Sequence, residues 1–161
     1  MATLNENLLD KDLSEFPNLT DEERRNLAVV MEELHGWTTQ DVERVIRTMA
    51  EDATYQDMTQ PAAEGHAGIR EFGAKWVGGS PDFTVHVDEF VVRGSTVVNR
   101  GVISGHIDNA FWGKPGTGKA FVLPYCQVAH LKDGKIVRIW DFSDAATMAF
   151  QVGWMDRPFY E

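Results

Sequence analysis

The feature that most constrains this chain is a change of hydrophobic period part-way along it. Before Phe83, apolar residues recur at helical spacing: Leu27, Val30, Met31 and Leu34, then Val42, Val45, Ile46 and Met49, then Ile69, Phe72 and Trp76. That spacing places each set on one face of a helix. From Phe83 the pattern becomes "FTVHVDEFVV", "TVVNRGVISGHID", "AFVLPYCQVAHL" and "KIVRIWDF", runs rich in β-branched and aromatic residues that read as strands. Helices followed by consecutive strands predict an α+β fold, with the N-terminal helices packed on one face of a curved antiparallel sheet.

Local signals set the expected boundaries. Thr20 and Glu23 form a capping box that opens the first helix, and Gly36 is expected to stop it. A second box, Thr38 with Asp41, opens "QDVERVIRTMAE". "ATYQDMTQ" is short and extended, and Gly65 and Gly68 bracket a turn before the third helix, which "GGSPD" ends. Asp133-Gly134 between apolar runs predicts a tight hairpin, because both central residues of such a turn need positive φ. Ser143 begins a short helix, "DAATMAFQV", that Gly153 ends, and Asp144 near its start is explained as a cap.

The length of 161 residues suits one domain, 1–161, with a polar lead-in (1–19) and an aromatic tail (154–161). Lys and Arg number 15 against 25 Asp and Glu, a net charge of -10, which disfavours nucleic acid and anionic membrane surfaces as partners. With one cysteine, Cys126, no intramolecular disulfide can form, and the first residues show neither a basic nor an apolar leader segment, so a cytoplasmic location is expected. "GKPGTGKA" approaches a phosphate-binding loop, but Ala120 replaces the magnesium-binding hydroxyl and a strand follows where a helix is required. The five histidines have no metal-ligand spacing, so no metal and no cofactor are expected.

What remains is a carboxylate out of place: Asp141 follows Ile139 and Trp140 at the end of an apolar strand. Here the chain resembles the SnoaL-like polyketide cyclases, within the nuclear transport factor 2-like superfamily. The resemblance rests on "AEGHAGIREF", "SPDFTVHVDEFVVRGSTVVNRGVISGH", "GKPGTGKAF", "LKDGKI" and "DAATMAFQVG", in that order. It implies a cone-shaped α+β barrel, no cofactor, a homodimer or higher homo-oligomer, and acid/base chemistry on a small hydrophobic, polyketide-like carbonyl compound.

By that resemblance Asp141 matches the family's general base, and a dry pocket would raise its pKa toward neutrality. The cyclases also carry an asparagine after the second helix, and a glutamine and a histidine two residues apart on the strand before "DGKI". By spacing these positions are Tyr55, Tyr125 and Gln127 here, and none is identical. A tyrosine hydroxyl can still hydrogen-bond a developing enolate oxygen, although Tyr55 reads equally well as an amphipathic core aromatic. Phe72, Trp76, Trp112 and Trp140 are expected as apolar walls, with Asp57 and His106 at the pocket mouth or facing solvent. Strict pairing about Asp133-Gly134 sets Gln127 opposite Trp140 and turns Asp141 to the other face, so a β-bulge near Trp140 is required. The functional expectation is a cyclase, isomerase or dehydratase. A small-molecule-binding protein without turnover, or an epoxide hydrolase using Arg100 or Arg138 as a central cation, is the alternative.

Overall fold

The computed structural model describes residues 6–156. After two single-turn 3-10 segments, Leu8–Asp10 and Leu13–Glu15, the chain forms α1 (Asp21–Thr38), α2 (Val42–Thr48), β1 (Met49–Asp57), β2 (Ala63–Glu64) and α3 (Gly65–Gly79). It continues through β3 (Thr84–Arg93), β4 (Thr96–His106), β5 (Ala120–Lys132), β6 (Lys135–Ser143) and α4 (Ala145–Gln151). All six strands join one curved sheet in the order β2-β1-β6-β5-β4-β3. The α+β expectation holds, with one correction: β1 runs parallel to β6, so the sheet is mixed. No hairpin constrains that pair, because α3 and β3 to β5 lie between the two strands in sequence.

The first helix begins as its capping box dictates, Glu23 N–H donating to Thr20 Oγ1 and Thr20 N–H to Glu23 Oε2. Gly36 does not end it. The helix passes through Gly36 to Thr38, and a Cβ at residue 36 would lie 2.7 Å from Val45 Cγ2, so glycine here permits close α1–α2 packing. Thr38 stays helical and its hydroxyl accepts the Val85 N–H, which leaves Asp41 alone to cap α2. Met49, on the expected stripe of the second helix, instead starts β1 opposite Ile136. Gly68 lies inside α3, which begins at Gly65 with φ 64°.

Strand alternation points Val85, Val87, Val97, Leu123, Ala129, Ile136 and Ile139 into the core beneath α1, α2 and α3. Asp133 and Gly134 turn the β5–β6 hairpin with φ 51° and 76°, as that dipeptide requires. Beyond the turn, Leu131 pairs with Ile136 but His130 pairs with Arg138, leaving Val137 as the bulged residue. The bulge required by the sequence is present, but beside the turn and not at Trp140. It slips the rest of β6 by one residue, so Gln127 faces Asp141 and Trp140 faces Val128.

A second irregularity falls in β3, between Val87 and Glu89, opposite Gly101 on β4. A Cβ at residue 101 would stand 1.9 Å from the His86 carbonyl oxygen. Backbone cannot yield as a flexible side chain can. Gly101→Ala is therefore expected to destabilise the fold by roughly 2–3 kcal/mol, read as a lowered midpoint in urea with little change of slope.

Candidate active site

A cavity opens between the inner face of the sheet and helices α1 and α3. Leu34, Trp37, Phe72, Trp76, Phe83, Val85 and Ile103 give it apolar walls, and Tyr55, Tyr125, Gln127 and Asp141 supply its polar groups. The space left for the centre of a water-sized sphere is about 30 Å³, enough for a small group. Phe72 also borders a roomier outer depression of about 230 Å³, lined in part by Gln60, Pro61, Lys75 and Trp112.

Gln127 and Asp141 belong to a row of four polar side chains across the sheet. Asp57 on β1 pairs with Asp141 on β6, Asp141 with Gln127 on β5, and Gln127 with Asn99 on β4. Within the row Asn99 and Gln127 are joined side chain to side chain, and the other bonds lead out of it. Tyr55 OH donates to Asp141 Oδ2 at 3.0 Å, Asn99 Nδ2 donates to Gln127 Oε1 at 2.8 Å, and Gln127 Nε2 donates to Glu33 Oε1 at 3.2 Å. Trp37 Nε1 donates to the same Glu33 oxygen at 2.5 Å. Asp141 Oδ1 and the Tyr125 hydroxyl are buried without a hydrogen-bond partner among the described residues.

Burial sets the electrostatics. Asp141 is half-buried as a residue, yet its Oδ1 has essentially no accessible surface. Loss of solvation, reinforced by the charge of Asp57, pushes its carboxyl up to about 7 against the opposing Tyr55 hydrogen bond. Glu33, fully buried on α1, is pushed up to about 8, chiefly by desolvation and further by Asp141, while its Trp37 and Gln127 donors hold it down. The same loss of solvation raises both tyrosines, so Tyr55 and Tyr125 act as neutral hydroxyl donors.

The structure thus brings together Asp141, Tyr55, Tyr125, Gln127, Phe72 and Trp76. It separates the remaining four candidates from the cavity. Trp140 lies on the outer sheet face, its ring 4.7 Å from the Arg138 guanidinium carbon, because the bulge that turns Asp141 inward turns Trp140 outward. Trp112 packs on Phe72 and Phe111 and lines the outer depression instead. His106 is exposed and paired with Asp82 at 2.6 Å. Asp57 is buried beside Asp141, but its Oδ1 is held by the Thr59 amide and hydroxyl in a local turn. Arg100 pairs with Glu89 outside the cavity and Arg138 is exposed, so neither guanidinium joins Asp141.

Glu33 and Asn99 were not anticipated from sequence. A signal for Glu33 existed: it stands three residues after Val30 and four before Trp37, inside the apolar stripe of α1, as does the buried Asn26. Asn99 carried a weaker one, as a polar residue on the inward alternation of β4 two residues from Val97. Among the described residues, no group of three or more His, Cys, Asp or Glu side chains is placed to hold a metal ion, and no helix is long and apolar enough to cross a membrane.

Comparison with known proteins agrees with this architecture. The sequence pattern of the SnoaL-like polyketide cyclases matches residues 28–152. Among solved structures, a protein classed as a SnoaL-like polyketide cyclase from Jannaschia sp. CCS1 is similar at TM-score 0.79 and 21% identity, over 85% of this chain and 97% of the other. A protein of ketosteroid isomerase-like fold from Catenulispora acidiphila, in complex with trimethylamine, is similar at TM-score 0.69 and 20% identity, over 78% and 92%. TerC, co-crystallised with polyporic acid, is similar at TM-score 0.68 and 20% identity, over 80% and 98%. At these identities the likenesses show a shared nuclear transport factor 2-like fold. No curated protein matches the sequence significantly.

Two raised carboxyl groups have a consequence for stability. Between the ordinary carboxylate range and pH 7–8, the unfolded chain has lost protons that Glu33 and Asp141 still hold in the native state. The unfolded state then binds fewer protons, so stability falls as pH rises through this window and levels off above it. His106, raised by Asp82, adds a loss of the same sign. Melting curves from pH 5 to pH 9 are expected to show a decline on the order of a few kcal/mol. The Glu33→Gln/Asp141→Asn double variant should flatten most of it and leave only the histidine contribution.

Proposed function

The chain belongs to the SnoaL-like polyketide cyclase family, and on that footing we propose that it is a cofactor-independent enzyme that removes a proton from carbon next to a carbonyl. The observation that carries this reading is the Asp141 carboxyl. It lies in an apolar cavity, with one oxygen held by Tyr55, the other without a partner among the described residues, and its pKa brought up to about 7. A base of that strength is ionised over part of the physiological range and accepts a proton from carbon far better than an ordinary aspartate.

In the proposed step, Asp141 Oδ1 takes the α-proton, the C–H electron pair becomes the C=C of the enolate, and the negative charge moves to the carbonyl oxygen. The unpaired Tyr125 hydroxyl is available to hydrogen-bond that oxygen, and Tyr55 steadies the carboxylate. The enolate carbon then attacks a second carbonyl of the same molecule, and the proton held on Asp141 passes to the new alkoxide. Isomerisation or dehydration would use the same first step. The substrate class is a small hydrophobic, polyketide-like ketone whose reacting end enters past Phe72, with the remainder in the outer depression. That TerC, of the same fold, was co-crystallised with polyporic acid supports a small organic ligand. A hydrolase acting on epoxides would need a cation beside Asp141, and Arg100 and Arg138 both lie outside the cavity.

We also assign the protein to the cytoplasm, as a homodimer or higher homo-oligomer. Val91, Val122, Phe142 and Phe150 are each more than 40% exposed, an apolar surface that favours association. Light scattering at micromolar concentration should give at least twice the mass of one chain, and a monomer there overturns the assignment.

The base is tested by deuterium exchange at the α-carbon of a cyclic aryl ketone such as 2-tetralone, which reports proton removal without knowledge of the natural product. Wild-type exchange should rise with pH through a limb near 7. Asp141→Asn should bind the ketone but exchange about 10²-fold more slowly or worse, with its melting temperature unlowered. Tyr125→Phe removes a hydroxyl that has no partner among the described residues, so it should leave stability unchanged or raised while slowing exchange by roughly 10-fold or more. Ketone binding without exchange in the wild type would instead identify a binding protein.

A further inference from the structure

The rings and the charges of the inner cavity favour the same kind of guest. Trp37, Tyr55, Phe72, Trp76, Phe83 and Tyr125 give it six aromatic side chains. Three of these meet at one end: Tyr55 and Phe72 lie 5.0 Å apart between centroids, and Trp37 stands edge-on to Tyr55 at 5.9 Å and to Phe72 at 6.2 Å. The face of an aromatic ring attracts a cation. The ionisable groups add full negative charge. Asp141 lines the cavity with Oδ1 buried and without a partner among the described residues, and Gln127, next to it in the wall, donates to the buried Glu33 carboxyl at 3.2 Å. Among the described residues no Lys, Arg or His lines the cavity. Lys75 stands in the outer depression, paired with Glu71 at 2.8 Å and 5.5 Å from the centre of the Trp112 ring.

We propose that the inner cavity is a binding site for the ammonium group of a small organic amine, held by Asp141 Oδ1 and the surrounding rings, with an aromatic tail resting on Phe72 and Trp112 in the outer depression. A carboxylate in apolar surroundings is costly while one of its oxygens lacks a donor. An ammonium N–H supplies both the donor and the opposite charge, an alcohol supplies the donor alone, and a carboxylate ligand supplies neither. Size narrows the choice further. The space of about 30 Å³ admits a primary ammonium on a methylene, and the bulk of the ligand stays in the outer depression of about 230 Å³. The inference goes beyond the general-base reading and stands without it, since it needs an ionised Asp141 and no proton removal from carbon. An amine so placed would occupy the oxygen that the ketone's α-proton needs.

The ionisable groups about Asp141 are Tyr55 and Asp57 on β1, Tyr125 on β5 and Glu33 on α1, none of them a cation. From α3, β3 and β4 the cavity receives Phe72, Trp76, Val85 and Ile103. With its pKa brought up to about 7, Asp141 is largely ionised at pH 8. Calorimetric titrations at that pH, in about 0.15 M salt to screen the acidic surface, compare benzylamine with benzyl alcohol and benzoate. The wild type should bind benzylamine at least about 10-fold more tightly than benzyl alcohol and should not bind benzoate. Asp141→Asn should keep alcohol binding and lose the preference for the amine. Phe72→Leu, with the carboxylate intact, should reduce that preference by about 3-fold, and it supplies a second readout that does not depend on Asp141→Asn folding. Equal affinity for amine and alcohol in the wild type, or a preference that either variant leaves unchanged, overturns the proposal. The two readings fail separately: ketone exchange that Asp141→Asn does not slow removes the general base and leaves the ammonium site, whereas equal affinities with slowed exchange do the reverse.

Discussion

The arrangement depends on one extra residue in a hairpin. Were β5 and β6 paired without interruption from Asp133-Gly134, Gln127 would oppose Trp140, and the Asp141 carboxylate would stand on the outer face. The bulge at Val137 moves the rest of β6 by one position. Ile136 before it and Ile139 after it both remain buried, so the core loses no apolar side chain, and Asp141 joins the inward alternation two residues beyond Ile139. The indole that would otherwise fill this place packs under the Arg138 guanidinium and edge-on to His130 outside. A single register shift thus exchanges an aromatic wall for a carboxylate.

Once inside, that carboxylate shapes its surroundings. Asp57, Asp141, Gln127 and Asn99 fall in one cross-strand row, and Glu33 descends onto it from α1. Both carboxyl groups are raised chiefly by loss of solvation, Asp141 further by the charge of Asp57 and Glu33 further by that of Asp141. The fold keeps them by supplying neutral donors, the Tyr55 hydroxyl, the Gln127 amide and the Trp37 indole, and by surrounding the row with aromatic rings: Phe72 stands 5.0 Å from Tyr55 and 6.2 Å from Trp37. An expense of a few kcal/mol is tolerable in a domain whose total stability is on the order of 5–15 kcal/mol, provided the remaining core is well packed. The valines and isoleucines of β3 to β6 supply that packing.

Much of this was legible in the sequence where local physics governs. The Thr20–Glu23 box, the Asp133-Gly134 turn, the stripe on α3 and the strand runs after Phe83 all act through neighbours a few residues away, and all appear where expected. Errors fell where distant contacts overrode a local signal. Gly36 resembles a helix stop until Val45 packs against it, and Met49 continues a helical stripe until Ile136 offers it a strand partner. Glu33 was passed over because a glutamate on an amphipathic helix is usually solvated, although its place in the apolar stripe could have been read.

The sequence by itself determined the class of fold, the existence of an odd carboxylate at residue 141, and the need for a bulge to turn it inward, because hydrophobic period and turn chemistry are encoded within a few residues of each other. Tertiary structure alone decided where the bulge falls, that β1 lies parallel to β6, and which aromatic rings enclose the cavity. It also decided that Glu33 on α1 meets Gln127 on β5, and that Tyr55 on β1 meets Asp141 on β6. These depend on residues as much as 94 positions apart meeting at hydrogen-bond distance. Periodicity states which face a side chain takes, and only the packed sheet and helices state what it meets there.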